Sequence, residues 1–195
     1  MSLQFNQLLS IPFEEYKKID AINSSGLKII KDQSPAHFKY YKETPEDEPT
    51  ESQLFGNLFH KMLLEGEAFK DKFLLEPVFS GLTKDGKEST RSGEAQAKRK
   101  HWWSSLPPGS IVIPEKFADA LLGMMNSVLT HPFTRNLLET GVREQTILWS
   151  DKQTGLPCKA RLDFLTSRRH AVDIKTTVNA EPSAFAKEIY RYDYH

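Results

Sequence analysis
The last third of the chain constrains the fold more than any other part. Three runs there, "EQTILWSD", "PCKARLDFLT" and "HAVDIKTT", are rich in β-branched and aromatic residues and bounded by polar turns. The turn "DKQTG" joins the first two as in a β-meander, and a second polar turn joins the last two. Residues two apart on a strand project to the same face, so Asp173 and Lys175 point the same way. With the second turn centred near Arg168, Asp163 lies across from Asp173 and Arg161 across from Lys175. Two carboxylates and one ammonium then share one side of a hairpin.

The remainder reads as helices set around this sheet. Ser24 or Ser25 can cap a short helix carrying Leu27, Ile29 and Ile30, and Ser34 with Pro35 opens another through Tyr40 and Tyr41. The acidic, proline-bearing "ETPEDEPTES" has nothing apolar to bury and reads as an exposed loop. A stronger helix starts at Ser52, with Leu54, Leu58 and Met62 beside a stripe of Phe55, Phe59 and Leu63, and Gly66 closes it. Residues 81–101 hold six Lys or Arg against three acids, and a flexible loop running into a helix is expected there. A brief strand at Ile111 to Ile113 and helices from Glu115 and from Pro132 lead into the sheet. "PSAFAKEIYRYDYH" begins a final helix, capped by Glu181 or a neighbour.

These elements predict an α+β fold in one domain, 1–195. Its mainly helical part is 1–140, with the basic loop 81–101. The strands and the start of the last helix occupy 141–195. The chain stops inside that helix and leaves a sheet edge free, so part of the natural C-terminus is expected to be missing.

Composition narrows the function classes. Lys plus Arg equals Asp plus Glu, 26 each, so any nucleic-acid surface must be a local patch. The single Cys158 excludes a disulfide framework and a four-cysteine zinc or iron–sulfur site within one chain, and it suits a reducing cytoplasm. No apolar run reaches the ~20 residues that span a bilayer. The N-terminus lacks the basic start and apolar centre of a secretory signal. A cytoplasmic protein without a membrane partner is expected.

Asp163, Asp173 and Lys175 are the leading candidates for chemistry. A surface hairpin with charges on its solvent face would also give this pattern. Here the charges are embedded among Leu162, Phe164 and Leu165, and among Ala171, Val172 and Ile174, where they are costly unless paired or bound to a metal. Carboxylates suit a hard ion such as Mg2+, and an adjacent lysine can position or deprotonate a water. That is the equipment of a metal-dependent phosphodiesterase.

His60 sits mid-helix in "GNLFH", one turn after Gly56 on the same face. It is either a metal-side imidazole or a histidine satisfied at the rim of a core helix. Glu144 opens the first strand and is either part of the acidic cluster or an ordinary strand-end charge. Lys159 and Arg161 share a strand face with Asp163, as phosphate contacts or as partners of the acids. Lys98, Arg99 and Lys100 either track a phosphate backbone or form a solvated helix face. Trp102 and Trp103 either stack on bases or pack in a core.

The order "GNLFH", "CKARLDF", "VDIKTT" resembles the RecB-type branch of the PD-(D/E)xK nuclease superfamily, and more closely the RecE exonuclease family (exodeoxyribonuclease VIII). "INSSGLKIIKDQSPAHFKYY" is similar to that family's opening, and the likeness extends from about Ile22 to His195. It implies a restriction-endonuclease-like core, with His60 as a helix histidine contributing to metal binding. Asp163 and Asp173 would be the first and second acidic ligands, Lys175 the lysine that activates water, and Glu144 an accessory acid.

Relatives of this kind use Mg2+, for which Mn2+ can substitute. They degrade linear double-stranded DNA from the 5′ end and leave a 3′ single strand for a single-strand annealing protein. They usually assemble as a homo-oligomeric ring. This chain has Leu162 where relatives often have Pro, and it ends before the family's Q-x-x-x-Y element. A lambda-type exonuclease or a Cas4-like protein would use the same residues, although the latter normally needs a cysteine-bound cluster. A non-catalytic DNA-binding module of the same fold is the alternative from another class.

Overall fold
The computed structural model describes residues 7–44, 48–66 and 71–192. In chain order they form β1 (Gln7–Leu9), α1 (Phe13–Lys18), α2 (Ser24–Asp32), α3 (Pro35–Glu43), α4 (Glu51–Glu65), β2 (Phe73–Leu75), β3 (Gly81–Leu82), β4 (Glu88–Ser89), α5 (Gly93–Ser104), β5 (Ile111–Ile113), α6 (Glu115–Thr130), α7 (Pro132–Glu139), β6 (Gly141–Ser150), β7 (Pro157–Thr166), β8 (Ala171–Val172) and α8 (Pro182–Tyr192). The chain divides into two compact units. One runs to His60 and resumes at Asn136, and the other is Lys61–Arg135. No helix among the described residues is long and apolar enough to cross a membrane.

The first unit is built on a four-stranded sheet ordered β1-β6-β7-β8, with each neighbouring pair antiparallel. The long β6–β7 hairpin follows from two apolar ten-residue runs and the "DKQTG" turn. In that turn Asp151 Oδ1 accepts from Thr154 N–H at 2.8 Å, and the Gly155 N–H reaches the Asp151 carbonyl at 2.8 Å. Leu148, Phe164 and Thr146 are fully buried, with Leu58, Phe59 and Tyr16 nearly so. Pairing of Phe164 with Val172 and Leu165 with Ala171 centres the β7–β8 turn on residue 168, the expected register.

Four local expectations change. The α2 cap is Asn23, whose side chain accepts from the Gly26 N–H, and not Ser24 or Ser25. Strand β1, which lies in a stretch without alternation, adds a fourth strand to the sheet. The stretch "HAVDIKTT" stays paired only through Val172. Beyond it the Ile174 N–H donates to the Asp163 carboxylate at 2.7 Å instead of continuing the ladder. Finally, residues 81–89 form a hairpin, not a loop.

In the second unit β2 and β5 pair in parallel, and β3 and β4 form that small hairpin against α5. Leu63, Leu64, Ala95, Phe117 and Leu121 are buried. Glu76, just after β2, is buried too. It accepts from Arg99 Nε at 2.6 Å, Arg99 Nη2 at 3.1 Å and Trp103 Nε1 at 3.0 Å, which fixes α5 by a two-pronged ion pair.

Candidate active site
Helix α4 and strand β7 bring the first pair of candidate residues together. His60 Nδ1 lies 3.7 Å from Asp163 Oδ2, and His60 Nε2 is 2.7 Å from the Ile174 carbonyl. A carbonyl can only accept, so Nε2 carries the hydrogen, and Nδ1 is the nitrogen turned to the carboxylate. Asp163 Oδ2 takes the Ile174 N–H at 2.7 Å, while Oδ1 has no hydrogen bond among the described residues. Ile174 thus joins helix and strand through both polar groups of its main chain. Gly56, one turn before His60, makes room for this. A Cβ there would stand 3.3 Å from Thr176 Oγ1, tighter than ordinary contact, so a bare backbone lets the 173–177 segment come close to α4.

Electrostatics sets Asp163 apart. Burial pushes its pKa up, and the nearby Asp173 carboxylate adds to this. The Ile174 N–H, His60 and Lys175 pull the other way. The net shift is upward, so the site holds a carboxylate that is short of compensating charge. Asp173 and Lys175 sit beside it, with Lys175 Nζ donating to Asp173 Oδ1 at 2.6 Å. Contrary to the expected buried strand, the Asp173 side chain is 63 % exposed, because β8 ends one residue earlier.

The other candidates go elsewhere. Glu144 lies opposite Asp163, at the one gap in the β6–β7 ladder, with φ +51°, a left-handed conformation uncommon outside glycine. Its carboxylate faces Arg161 Nη2 at 3.2 Å, and it is not part of the His60–Asp163 group. Arg161 also donates to the Ile11 carbonyl at 2.8 Å and to Thr146 Oγ1 at 3.3 Å. Lys159 is buried and caps the end of α1, donating to the carbonyls of Tyr16, Lys17 and Ile19 at 3.0, 3.3 and 2.8 Å. Burial lowers its pKa. Neither cation is placed to meet a phosphate. Alternation along β7 put both on the Asp163 face correctly, but it carries no sign of what covers that face.

In the second unit Arg99 is held by Glu76, and Lys98 by Glu94 at 2.7 Å. Lys100 is exposed. Trp102 and Trp103 meet edge to face at 5.9 Å, and Trp102 also meets Phe79. Glu76 has no signal in the sequence, being an isolated acid 23 residues from its arginine.

Among the described residues no group of three or more His, Cys, Asp or Glu side chains is gathered to hold a metal ion. One imidazole, one carboxylate with an oxygen to spare and one backbone carbonyl meet at this junction; because the imidazole holds the carbonyl through Nε2–H, it could join that carbonyl on a cation only as the other tautomer, with Nε2 bare. Their chemistry, mostly oxygen with one neutral nitrogen, fits a hard divalent cation of the Mg2+ or Mn2+ kind. The profile of a family described as a PDDEXK-like domain of unknown function (DUF3799) matches residues 23–195. Comparison with curated proteins gives no match.

Proposed function
The chain belongs to this PDDEXK-like family, and from that premise we propose that it is a divalent-cation-dependent nuclease that degrades linear double-stranded DNA. The observation that carries this reading is the junction at Ile174, where His60 and Asp163 meet within 3.7 Å beside the Asp173–Lys175 pair. Asp163, His60 and the Ile174 carbonyl, joined by Asp173, would hold Mg2+ or Mn2+. Bound there, the cation supplies Lewis-acid stabilisation of charge on the phosphoryl group. Lys175 directs its ammonium at the attacking water, and Asp173 keeps that ammonium in place. The low polarity around Asp163 strengthens each of these interactions.

By its resemblance to the RecE exonucleases, the enzyme would work in the 5′ to 3′ direction as a homo-oligomeric ring. Its 3′ single strands would pass to a single-strand annealing protein. The test is digestion of end-labelled linear duplex, comparing 5′-phosphate with 5′-hydroxyl ends. Label should be released with Mg2+, retained with EDTA, and closed circles should stay intact. A linear duplex left whole in both Mg2+ and Mn2+ rules the proposal out.

The exposure of Asp173 favours a second reading, a DNA-binding module of the same fold without catalysis. Titration with Mn2+ separates the two. The nuclease binds it and loses that binding in Asp163→Ala, whereas the module shows no such dependence.

A further inference from the structure
Residues 81–101 carry six Lys or Arg against three acids, and two of the three lysine and arginine side chains of their helix are held by partners within the chain. In α5, Lys98 bonds Glu94 Oε1 at 2.7 Å and the Ser80 carbonyl at 3.1 Å, and Arg99 is clamped by Glu76. Four cations of the stretch remain, Lys84, Lys87, Arg91 and Lys100, all exposed. Two of them stand at the tip of the β3–β4 hairpin.

That tip has a defined backbone. The Thr83 N–H reaches the Lys87 carbonyl at 2.8 Å and the Gly86 N–H reaches the Thr83 carbonyl at 2.9 Å, with Gly86 at φ +74°. This is the three-residue hairpin loop in which a tight turn is followed by a left-handed residue. Thr83 Oγ1 fixes it further by accepting from the Lys87 N–H at 3.1 Å. The hairpin is braced at its base as well. Glu94 Oε2 accepts from the Leu82 N–H at 3.0 Å, and Ser80 Oγ donates to Glu88 Oε1 at 2.6 Å.

The ammonium groups of Lys84 and Lys87, by contrast, have no hydrogen bond or ion pair among the described residues. Helix charges hold the hairpin, and hairpin charges face outward. Two unneutralised cations on a rigid turn suit a polyanion whose charges repeat at short intervals. Asp85, the one acid in the loop, limits how strongly it attracts one.

We propose that the tip of the β3–β4 hairpin is a duplex-DNA contact, with Lys84 and Lys87 on backbone phosphates, while Lys98 and Glu94 brace its base. The choice of duplex DNA as the polyanion rests on the nuclease reading above. The assignment moves the contact away from the helix cations that the sequence singles out.

The experiment measures binding of the full chain to a fluorescent linear duplex, with EDTA present to prevent cutting, over a series of salt concentrations. The variant Lys84→Gln/Lys87→Gln should lose two phosphate contacts. Between about 50 and 200 mM salt the wild type should then lose roughly tenfold more affinity than the variant does. Lys98→Gln should keep the wild-type salt dependence, and Asp85→Asn should bind more tightly. An unchanged salt dependence in the double variant overturns the inference, as does an equal loss in Lys98→Gln or a wild type that does not bind duplex. Adding Mg2+ to the same samples separates this result from the nuclease reading. Binding with the expected salt dependence but no cutting keeps the hairpin and removes the nuclease. Cutting with an unchanged salt dependence does the reverse.

Discussion

Glu76 and Asp163 are both carboxylates in largely buried side chains, 9 % and 18 % exposed, and they are treated in opposite ways. Glu76 accepts two bonds from one guanidinium and a third from an indole. Asp163 accepts one backbone N–H, faces an imidazole across 3.7 Å and keeps an oxygen uncommitted. Burial is common to both, so it cannot distinguish structure from chemistry. Complementation does. A buried charge whose partners are all in place holds a fold together, whereas one left short of partners has a raised pKa and a use for an external cation.

The largest expected effect bears on the second kind of site. Lys175→Ala should lower Mg2+-dependent release of DNA label by about 10²- to 10⁴-fold, the usual range for a group that handles a proton, with little change in urea midpoint. Cutting at wild-type rate would remove Lys175 from the chemistry. Next comes the structural carboxylate. Glu76→Gln weakens the charge-assisted bonds to Arg99 and should cost about 2 kcal/mol in urea unfolding. A loss as small as that of an ordinary surface change would show that the clamp is incidental.

The smallest effect is opposite in sign. Asp163→Asn should stabilise the protein by about 1 kcal/mol at neutral pH while abolishing cutting, because it removes a poorly compensated charge and keeps an acceptor for the Ile174 N–H. The raised pKa fixes the pH dependence. The native carboxyl binds a proton more readily than the unfolded one, so its contribution to stability falls as pH rises from the unfolded value near 3.8 through the native value, then levels off. The gain from Asn should therefore shrink toward pH 4, and thermal midpoints at pH 4 and 7 for both proteins will check it.

Much of this was legible in the sequence. The register about Arg168 and the Ser34–Pro35 helix start follow from strand alternation and local capping, which act over a few residues. What was not legible depends on distant partners. Strands β1 and β2 have three residues each and are strands only because β6 and β5 supply the ladders. Lys159 looks like any cation on an alternating strand until α1, 140 residues earlier, presents its carbonyls. Arg99 looks like part of a basic helix face until Glu76 engages it.

The junction at Ile174 has a corollary for substitution. Both of its polar contacts, to Asp163 and to His60, use atoms that every residue except proline possesses in full. Those two bonds therefore depend on the path of the chain, and any residue but proline can make both of them at this position. Ile174→Pro, which deletes the amide hydrogen, is the change that would expose it.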